Sequence, residues 1–204
     1  TTSILKAAHL KIEQHQEIYH ISGFQSYRFE DTLNEYDASS LAFLAVANYL
    51  GHEISWQNFE TQYQADARIF DILDEIQTQD VSINVKDMPD IVPILSLALA
   101  LSPYRYELTH AKRLKDKESN RLESTYMALK AMGADIQMTE DGLMIKGVKK
   151  LKGAKISSYQ DHRIAMMVAI AASVAEGETV LLEGDCVAKS WPEFYHDYQM
   201  LGGE

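Results

Sequence analysis

Four short clusters of charged and polar side chains in this 204-residue sequence suit anion binding and proton transfer. The densest is Lys-Glu-Ser-Asn-Arg at residues 117–121, ahead of an amphipathic helical pattern. A helix that opened there would carry Lys117 and Arg121, four residues apart, on one side. Helix N-termini offer free N–H groups and the positive end of the helix dipole, both of which favour anions. Two cations at such a position therefore predict an anion-binding site, and Glu118 could exchange a proton there. The alternative is a capping arrangement with a solvated charged face.

The second cluster is Ser-Ser-Tyr-Gln-Asp-His-Arg at residues 157–163, which leads into an apolar helical pattern. Asp161 can cap that helix, so Arg163 would lie in its first turn. A charge beside so much apolar surface needs a partner or a ligand. The alternative is an arginine paired with a carboxylate at the edge of the core, and we interpret His162 as structural.

The third cluster lies near the end of the chain, at residues 187–192. Ser190 suits a helix cap and Pro192 suits a first turn, so the pattern predicts a helix start here. Lys189 would then lie at a helix N-terminus. The alternative is an ordinary surface lysine.

The fourth cluster, Asp-Met-Pro-Asp at residues 87–90, precedes another apolar helical pattern. Asp90 can cap this helix, and a helix N-terminus favours the charged form of a carboxylate, which could still accept a substrate proton. The alternative is a plain N-cap. Together the clusters offer four cations and two carboxylates at helix starts. If those starts converge, they would bind a small polyanion and provide acid and base groups.

The hydrophobic pattern predicts the elements that carry these clusters. Three segments are nearly apolar on all sides, which predicts buried helices. They span residues 38–50, 90–101 and 161–176. Each is followed by a short β-type run, at 53–56, 104–109 and 178–182, and then by an amphipathic helix, at 65–77, 118–132 and 191–201. Further strands are predicted at 81–85 and 134–145, the latter folded into a hairpin at Glu-Asp-Gly 140–142.

The order of buried helix, strand, surface helix and strands recurs along the chain, at a spacing of roughly fifty to seventy residues. It predicts an α/β (α+β) fold of three repeated helix-and-sheet units. Residues 1–35 have a different pattern, with a short helix at 2–9 and strands near 18–21 and 26–29. The polar segment 30–36 suggests a linker, so we place a domain boundary near it, with a second domain at 36–204.

Composition excludes several classes of protein. The sequence has 30 acidic and 19 basic residues and a formal charge of −11, which disfavours nucleic-acid binding and a polybasic membrane surface. Its single cysteine, Cys186, excludes an intramolecular disulfide and a zinc site of several thiolates. The apolar run at 91–101 is too short to span a membrane and contains Pro93. Without a signal-peptide pattern, we expect a soluble cytoplasmic protein or a piece of one.

These residues, in this order, resemble the C-terminal half of the 5-enolpyruvylshikimate-3-phosphate synthase (3-phosphoshikimate 1-carboxyvinyltransferase) family. The similarity runs from about residue 36 to residue 202 and consists of five motifs in family-like order. They are Asp-Ala-Ser-Ser at 37–40 and the motifs at 87–90, 117–121, 161–163 and 186–190. Residues 1–35 resemble the end of that family's N-terminal domain, so the resemblance implies that the chain is half of an enzyme, inactive alone.

The resemblance implies two similar domains, each of three helix-and-sheet units with buried parallel helices. It implies transfer of the enolpyruvyl group of phosphoenolpyruvate to the 5-hydroxyl of shikimate 3-phosphate, by addition and elimination, with release of phosphate. No metal or organic cofactor is implied. The implied partners are the two substrates and the N-terminal domain of the same enzyme, with no nucleic acid and no membrane.

The same resemblance assigns roles to six of the cluster residues. The implied substrate-binding residues are Asp90, Lys117, Arg121, Arg163 and Lys189. Arginine suits this role because its planar guanidinium can clamp a carboxylate or phosphate. The implied catalytic residues are Asp90, which takes the proton of the attacking hydroxyl, and Glu118, which handles the proton at the enol carbon.

The sequence departs from the family pattern at three positions. Tyr36 stands where a Gly usually precedes the motif at 37–40, Asn120 replaces an Asp, and Asp116 replaces an apolar residue. We expect Asn120 to alter a contact at the helix start, and Asp116 could pair with Lys117. Two alternative functions stay open: half of a UDP-N-acetylglucosamine enolpyruvyl transferase, which shares the fold, and an isolated, non-catalytic anion-binding domain.

Overall fold

The computed structural model describes residues 2–28, 35–56 and 64–200. The helices in these ranges are α1 (Thr2–Ala7), α2 (Ala38–Tyr49), α3 (Ile69–Glu75), α4 (Val92–Ala100), α5 (Arg121–Ala131), α6 (His162–Val174) and α7 (Phe194–Met200). The strands are β1 (Ile12–His15), β2 (Ile18–Ile21), β3 (Val81–Asn84), β4 (Arg105–Thr109), β5 (Asp135–Met138), β6 (Leu143–Lys146), β7 (Lys155–Ser157) and β8 (Val180–Leu182). Short 3₁₀ turns span Ala65–Arg68, Pro89–Ile91, Lys112–Asp116 and Gly184–Lys189.

The core is built on α2, α4 and α6, which contact one another. Every residue of α4 is buried, including Ser96, whose hydroxyl donates to the Val92 carbonyl at 2.8 Å. A helix without a polar face needs partners on several sides, and α4 also contacts α5 and β6. The three predicted buried helices are confirmed. The second starts later than predicted, because Pro89–Ile91 form a 3₁₀ turn ahead of it.

A four-stranded sheet in the order β3-β4-β6-β5 lies against α4 and α5. β3 and β4 pair in parallel, and the other neighbours are antiparallel. Tyr106, Leu108 and Ile145 alternate with exposed residues, so one face of the sheet is buried. The predicted hairpin is confirmed as β5–β6. Its turn needs Gly142, because a Cβ there would lie 1.7 Å from the Leu108 carbonyl oxygen.

A second, two-stranded parallel sheet pairs β7 with β8. The sequence predicted β8 within 178–182 but missed β7. The strand predicted at 53–56 is wrong. The Asn48 side chain accepts from the Ile54 N–H at 2.7 Å and donates to the Ile54 carbonyl at 2.6 Å, so a side chain takes the backbone bonds that a strand partner would need. Residues 57–63, which follow, lie outside the described ranges.

The first 28 residues form α1 and the antiparallel hairpin β1–β2. The short helix and the strand at 18–21 are confirmed, but residues 26–28 form no strand. Ile12–His15 pairs with β2 instead, across a turn in which Gln16 has a φ of 56°. Residues 29–34, which include most of the predicted linker, lie outside the described ranges, and the boundary near residue 36 stays a prediction.

The described residues confirm the mixed α/β fold class. The amphipathic helices predicted at 65–77 and 118–132 are present with shorter bounds. The three-unit repeat stays a prediction. Across residues 2–28, 35–56 and 64–200, no helix has the length and apolarity that crossing a membrane requires.

Candidate active site

The starts of α4, α5 and α6 meet at one end of the core, where residues from three of the four clusters come together. Asp90 lies in the 3₁₀ turn ahead of α4, Arg121 is the first residue of α5, and Asp161 caps α6. Lys117 and Glu118 lie in the loop ahead of α5. The structure thus brings these side chains together, while their roles stay predictions.

The prediction that Lys117 and Arg121 lie on one side of the same helix is wrong, although the two cations do lie close together. Asn120 caps α5, because its side-chain oxygen accepts from the Glu123 N–H at 3.4 Å, and Lys117 lies before the helix in extended conformation. Lys117 Nζ and Arg121 Nη1 approach the same Asp90 Oδ1, at 3.2 and 2.7 Å. A shared carboxylate, rather than one helix face, therefore joins them. The pairing of Asp116 with Lys117 is not found, since Lys117 pairs with Asp90.

Arg121 is the centre of the site. Its side chain is only 1% exposed, and its guanidinium donates to three carboxylates. Nε lies 2.9 Å from Asp161 Oδ2, Nη2 bonds Asp161 Oδ1 and Glu118 Oε2, and Nη1 bonds Asp90 Oδ1. A buried guanidinium is stable only with such partners, because desolvation of a single charge is costly. We call Arg121, Asp90, Glu118 and Asp161 the arginine cluster.

Asp90 is the carboxylate of this cluster that both faces solvent and meets several cations. Its side chain is 33% exposed, and Arg163 Nε lies 3.7 Å from Oδ1. Burial alone raises the pKa of Asp90, but Arg163, Lys117 and Arg121 outweigh burial and hold it below the ordinary value. Asp90 is therefore ionised at neutral pH. The plain N-cap is not found, because the Asp90 side chain caps neither the 3₁₀ turn nor α4.

Glu118 and His162 face each other beside the cluster. Glu118 Oε1 lies 3.8 Å from His162 Nδ1, and this nitrogen is buried without a hydrogen-bond partner among the described residues. Burial lowers the pKa of His162, and the nearby Arg163 guanidinium lowers it further. A neutral imidazole beside a carboxylate can relay or accept a proton. Our interpretation of His162 as structural did not foresee this placement.

Arg163 lies in the first turn of α6, as the capping pattern predicts. Its backbone N–H donates to Asp161 Oδ1 at 3.0 Å, while its side chain reaches toward Asp90. Arg163 Nε is buried and has no hydrogen-bond partner within the described ranges. Its guanidinium thus keeps donor capacity that an anion could use.

Lys189 borders the site without joining the arginine cluster. It is the last residue of the 3₁₀ turn Gly184–Lys189, and α7 begins only at Phe194, so the predicted helix start at Ser190 is wrong. The reason is local: Ser190 N donates to Val187 O and closes the 3₁₀ turn. Lys189 Nζ donates to the carbonyl of Gln160, one residue before Asp161, at 2.8 Å.

The start of α2 also reaches the site, through a residue, Asp66, that the sequence analysis missed. Asp37 caps α2, and in the first turn of that helix the Ser39 hydroxyl donates to Asp66. Burial raises the pKa of Asp66. The hydrogen bond from Ser39 lowers this pKa by less, and the charge of Asp90 raises it further. Ser39 lies in the motif at 37–40, but no spacing pattern pointed to Asp66.

Three ligand types that bind metals also meet here. Oxygen atoms of Glu118 and Asp161 and a nitrogen of His162 all lie within 4.8 Å of one another. Arg121 donates to both carboxylates, so a metal ion would have to displace a buried guanidinium. The set therefore fits arginine binding better than metal binding, and the expected absence of a metal cofactor stays a prediction.

Comparisons with known proteins agree on one family. A family model described as EPSP synthase (3-phosphoshikimate 1-carboxyvinyltransferase) matches residues 30–198. A 3-phosphoshikimate 1-carboxyvinyltransferase of Clostridium perfringens is 37% identical over 201 residues, which cover 90% of this chain and 47% of that protein. One from Methanocaldococcus jannaschii is 34% identical over 99% of this chain and 52% of its own length.

Solved structures show the same fold. An EPSP synthase from Acinetobacter baumannii superposes with a TM-score of 0.82 at 22% sequence identity, over 99% of this chain and 54% of that one. The chain has an enolpyruvyl transferase fold, with buried helices and a charged cluster at their starts. It belongs to the EPSP synthase family, as the match over residues 30–198 establishes. It spans about half the length of the curated relatives that it matches.

Proposed function

We propose that this chain is the C-terminal half of a cytoplasmic 3-phosphoshikimate 1-carboxyvinyltransferase. The complete enzyme transfers the enolpyruvyl group of phosphoenolpyruvate to the 5-hydroxyl of shikimate 3-phosphate and releases phosphate. The observation that carries the proposal is the arginine cluster, with Lys117 and Arg163 beside it, inside the segment that matches the family. Both substrates are anions, and this end of the core concentrates cations in a chain whose formal charge is −11.

Phosphoenolpyruvate binds to Arg163, Lys189 and Arg121 in this proposal. Arg163 supports it directly, because its buried Nε has no hydrogen-bond partner in the described parts of the chain. Among the described residues, the hydrogen bond of Lys189 goes to a backbone carbonyl, so its charge is not neutralised by that contact. Each cation also offsets charge that develops as the phosphate leaves.

Arg121 imposes a condition on binding. Four of its five N–H donors are already used by the three carboxylates, so a substrate anion that is bound through two N–H groups has to exchange with Glu118 or Asp90. These are the two carboxylates of the cluster with exposed oxygen atoms, whereas Asp161 is fully buried. The exchange would free the same two carboxylates for proton transfer.

Asp90 and Glu118 take the acid and base roles. In the addition step, the 5-hydroxyl oxygen bonds to C2 of phosphoenolpyruvate, its proton passes to Asp90, and Glu118 protonates C3. In the elimination step, C3 returns its proton to Glu118, the C3–H electron pair forms the C2=C3 double bond again, and the C2–O bond breaks so that phosphate leaves with the electron pair of that bond. The ionised state of Asp90 suits a proton acceptor, and the contact of Glu118 with His162 gives its proton a neighbouring acceptor.

Complementation tests this proposal. The 204-residue chain alone is expected to release no phosphate from the two substrates. Mixing it with a polypeptide that covers the first half of the Clostridium perfringens relative should restore release. Shikimate 3-phosphate is the expected acceptor, and UDP-N-acetylglucosamine is the control that tests the alternative transferase.

Two variants test the roles in the restored enzyme. Asp90→Ala and Glu118→Gln should each abolish turnover, while Lys130→Met, at an exposed cation in the last turn of α5, should not. Full turnover in both carboxylate variants would show that the acid–base assignment is wrong. Turnover by the chain alone would show that it needs no second half.

A further inference from the structure

We infer that Asp161 is a positioning residue that aims the Arg121 guanidinium at the substrate anion. The inference rests on the proposed function, in which Arg121 binds phosphoenolpyruvate. Asp161 holds the Nε–Nη2 edge of the guanidinium, with Nε at 2.9 Å from Oδ2 and Nη2 at 3.2 Å from Oδ1. This two-pronged geometry fixes the plane of the guanidinium as well as its position.

Asp161 cannot itself reach a ligand. Its side chain is fully buried, and its two oxygens accept four hydrogen bonds. Oδ2 accepts from the Ser119 hydroxyl at 3.1 Å and from Arg121 Nε, and Oδ1 accepts from Arg121 Nη2 and the Arg163 N–H at 3.0 Å. A carboxylate offers about four lone-pair positions, so its capacity is used. Any effect on substrate must therefore pass through another residue.

The four bonds of Asp161 also connect separate parts of the chain. They join the loop ahead of α5, the first residue of α5 and the first turn of α6. Asp161 accepts from the Arg121 guanidinium and from the Arg163 backbone N–H, so it fixes the Arg121 guanidinium relative to the first turn of α6, the turn that carries Arg163. Phosphate and carboxylate groups of one ligand need two cations at a defined separation, and Asp161 sets the position of one of them against the helix that carries the other.

Asp37 is the control that distinguishes the helix-capping role of Asp161 from its proposed role in positioning Arg121. Asp37 caps α2 as Asp161 caps α6, accepting from the Ser39 N–H at 3.1 Å and from the Ser40 hydroxyl at 2.6 Å. In the described ranges the hydrogen-bond partners of its side chain are both serines, and it is exposed. Asn caps helices about as well as Asp, so Asp→Asn at either position keeps the cap. At position 161, however, the Asn amide would place an N–H group against an N–H donor of Arg121.

The first measurement is hydrogen exchange at the Arg121 Nε–H, followed by NMR on the ¹⁵N-labelled chain and assigned by its loss in Arg121→Lys. We expect Asp161→Asn to speed exchange by roughly ten- to hundredfold, the range that losing one charged hydrogen bond implies, and Asp37→Asn to leave it unchanged. If Asp161→Asn exchanges as slowly as the wild type, Asp90 and Glu118 hold Arg121 without Asp161, and the inference is overturned.

The second measurement is a double-mutant cycle on phosphoenolpyruvate affinity with Asp161→Asn and Arg121→Lys. Each single variant should weaken binding by about tenfold, and the double variant should be no weaker than either one, because Asp161 acts through Arg121. Losses that multiply in the double variant would overturn the inference, since a purely structural role acts independently of Arg121. Asp37→Asn should bind as the wild type does.

These readouts separate the inference from the proposed function. If the wild-type enzyme restored with its second half does not bind phosphoenolpyruvate, the proposed role of Arg121 fails, yet the exchange rate of its Nε–H still decides whether Asp161 holds it. If Asp161→Asn does not fold, Ser119→Ala removes one hydrogen bond to Asp161 and keeps its charge. That variant should speed Arg121 exchange by a few-fold, because Asp161 loses one of the bonds that hold it in place, and an unchanged rate would count against the inference.

Discussion

The ion pairs of the arginine cluster and those on the surface of the chain have the same chemistry in opposite settings. Arg121 is 1% exposed and donates to three carboxylates. Lys112 and Glu140, by contrast, have side chains that are 67% and 90% exposed, with charged atoms 3.8 Å apart. Water solvates the surface pair but cannot replace a partner lost from the buried cluster. Burial, rather than opposite charge alone, therefore decides what an ion pair contributes.

The largest expected effect is the removal of the central cation. Arg121→Met leaves Asp90, Glu118 and Asp161 close together without the charge that stabilises them. We expect a loss of about 3–5 kcal/mol in the free energy of unfolding, the usual cost of breaking a buried ion pair. Urea unfolding followed by circular dichroism measures it.

The control for this change is Arg113→Met, which removes an exposed arginine from the 3₁₀ turn Lys112–Asp116. Exposed substitutions of this kind change stability by about 0.5 kcal/mol or less. If Arg121→Met cost no more than Arg113→Met, the buried and surface settings would be equivalent, and the contrast between them would fail.

Much of the buried side of this comparison could be predicted from sequence. The helices α2, α4 and α6 follow from long apolar runs, and the β5–β6 hairpin follows from its Glu-Asp-Gly turn, because both signals are local. The motifs also located Asp90, Glu118 and Arg121. Where these signals failed, the deciding contact was distant in sequence: Asn48 takes the backbone bonds of Ile54, and β1 is a mostly polar strand that only its partner defines.

The arrangement of the side chains within the site was harder to predict than the identity of the residues that form it. Helical spacing placed Lys117 on α5, whereas a carboxylate 27 residues away determines where its ammonium lies. Asp161 was recognised as a cap, but its bonds to Arg121 span 40 residues and leave no local pattern. Asp66 reaches the site through Ser39, also across a long separation. Tertiary contacts of this kind depend on packing that periodicity does not describe.

A smaller change weakens the arginine cluster without removing its cation. Glu118→Gln removes one negative charge that competes with a substrate anion for Arg121 Nη2. We expect the variant to bind phosphoenolpyruvate more tightly, by about three- to tenfold, or roughly 0.7–1.4 kcal/mol. Isothermal titration calorimetry on the chain measures it.

Glu123→Gln is the matched control for this binding change. Glu123 is exposed on the first turn of α5, where it accepts from Asn120 Nδ2 at 2.9 Å and makes no contact with Arg121 in the described structure. Its variant should bind phosphoenolpyruvate as the wild type does. Weaker binding by Glu118→Gln would mean that Glu118 supports the anion site rather than competing for its arginine.

The third prediction concerns pH, because the buried region also holds a histidine. Burial lowers the pKa of His162 below its ordinary value of 6.5, and Arg163 lowers it further, against the opposing charges of Glu118 and Asp161. Below pH 6.5 the unfolded chain therefore binds a proton that the folded chain does not, so stability falls as pH falls. Urea unfolding at pH 7.5 and 5.5 should show this loss, and His162→Gln should remove it.

The carboxylates act in a separate, lower range of pH. The pKa values of Asp90 and Asp161 are held below 3.8 by their cations despite burial, so their stabilisation is complete above pH 3.8 and is lost as pH falls further. Asp66, whose pKa burial raises, has the opposite effect and favours the folded chain at acid pH.

The control for the His162 prediction is His110→Gln, a change at an exposed histidine, which should leave the loss of stability between pH 7.5 and 5.5 intact. Its disappearance in that variant would assign the titration to the surface instead.

We expect the smallest loss of stability for an ion pair on the surface of the chain. Lys150 pairs with Glu176, and the two side chains are 58% and 55% exposed. Lys150→Gln removes the charge and keeps a polar side chain, so we expect a loss of about 0.5 kcal/mol or less, which salt screens further. Urea unfolding at low and high salt measures it. A loss near that of Arg121→Met would contradict the role of burial, because it would mean that solvent-exposed charges contribute as much as a guanidinium enclosed by three carboxylates.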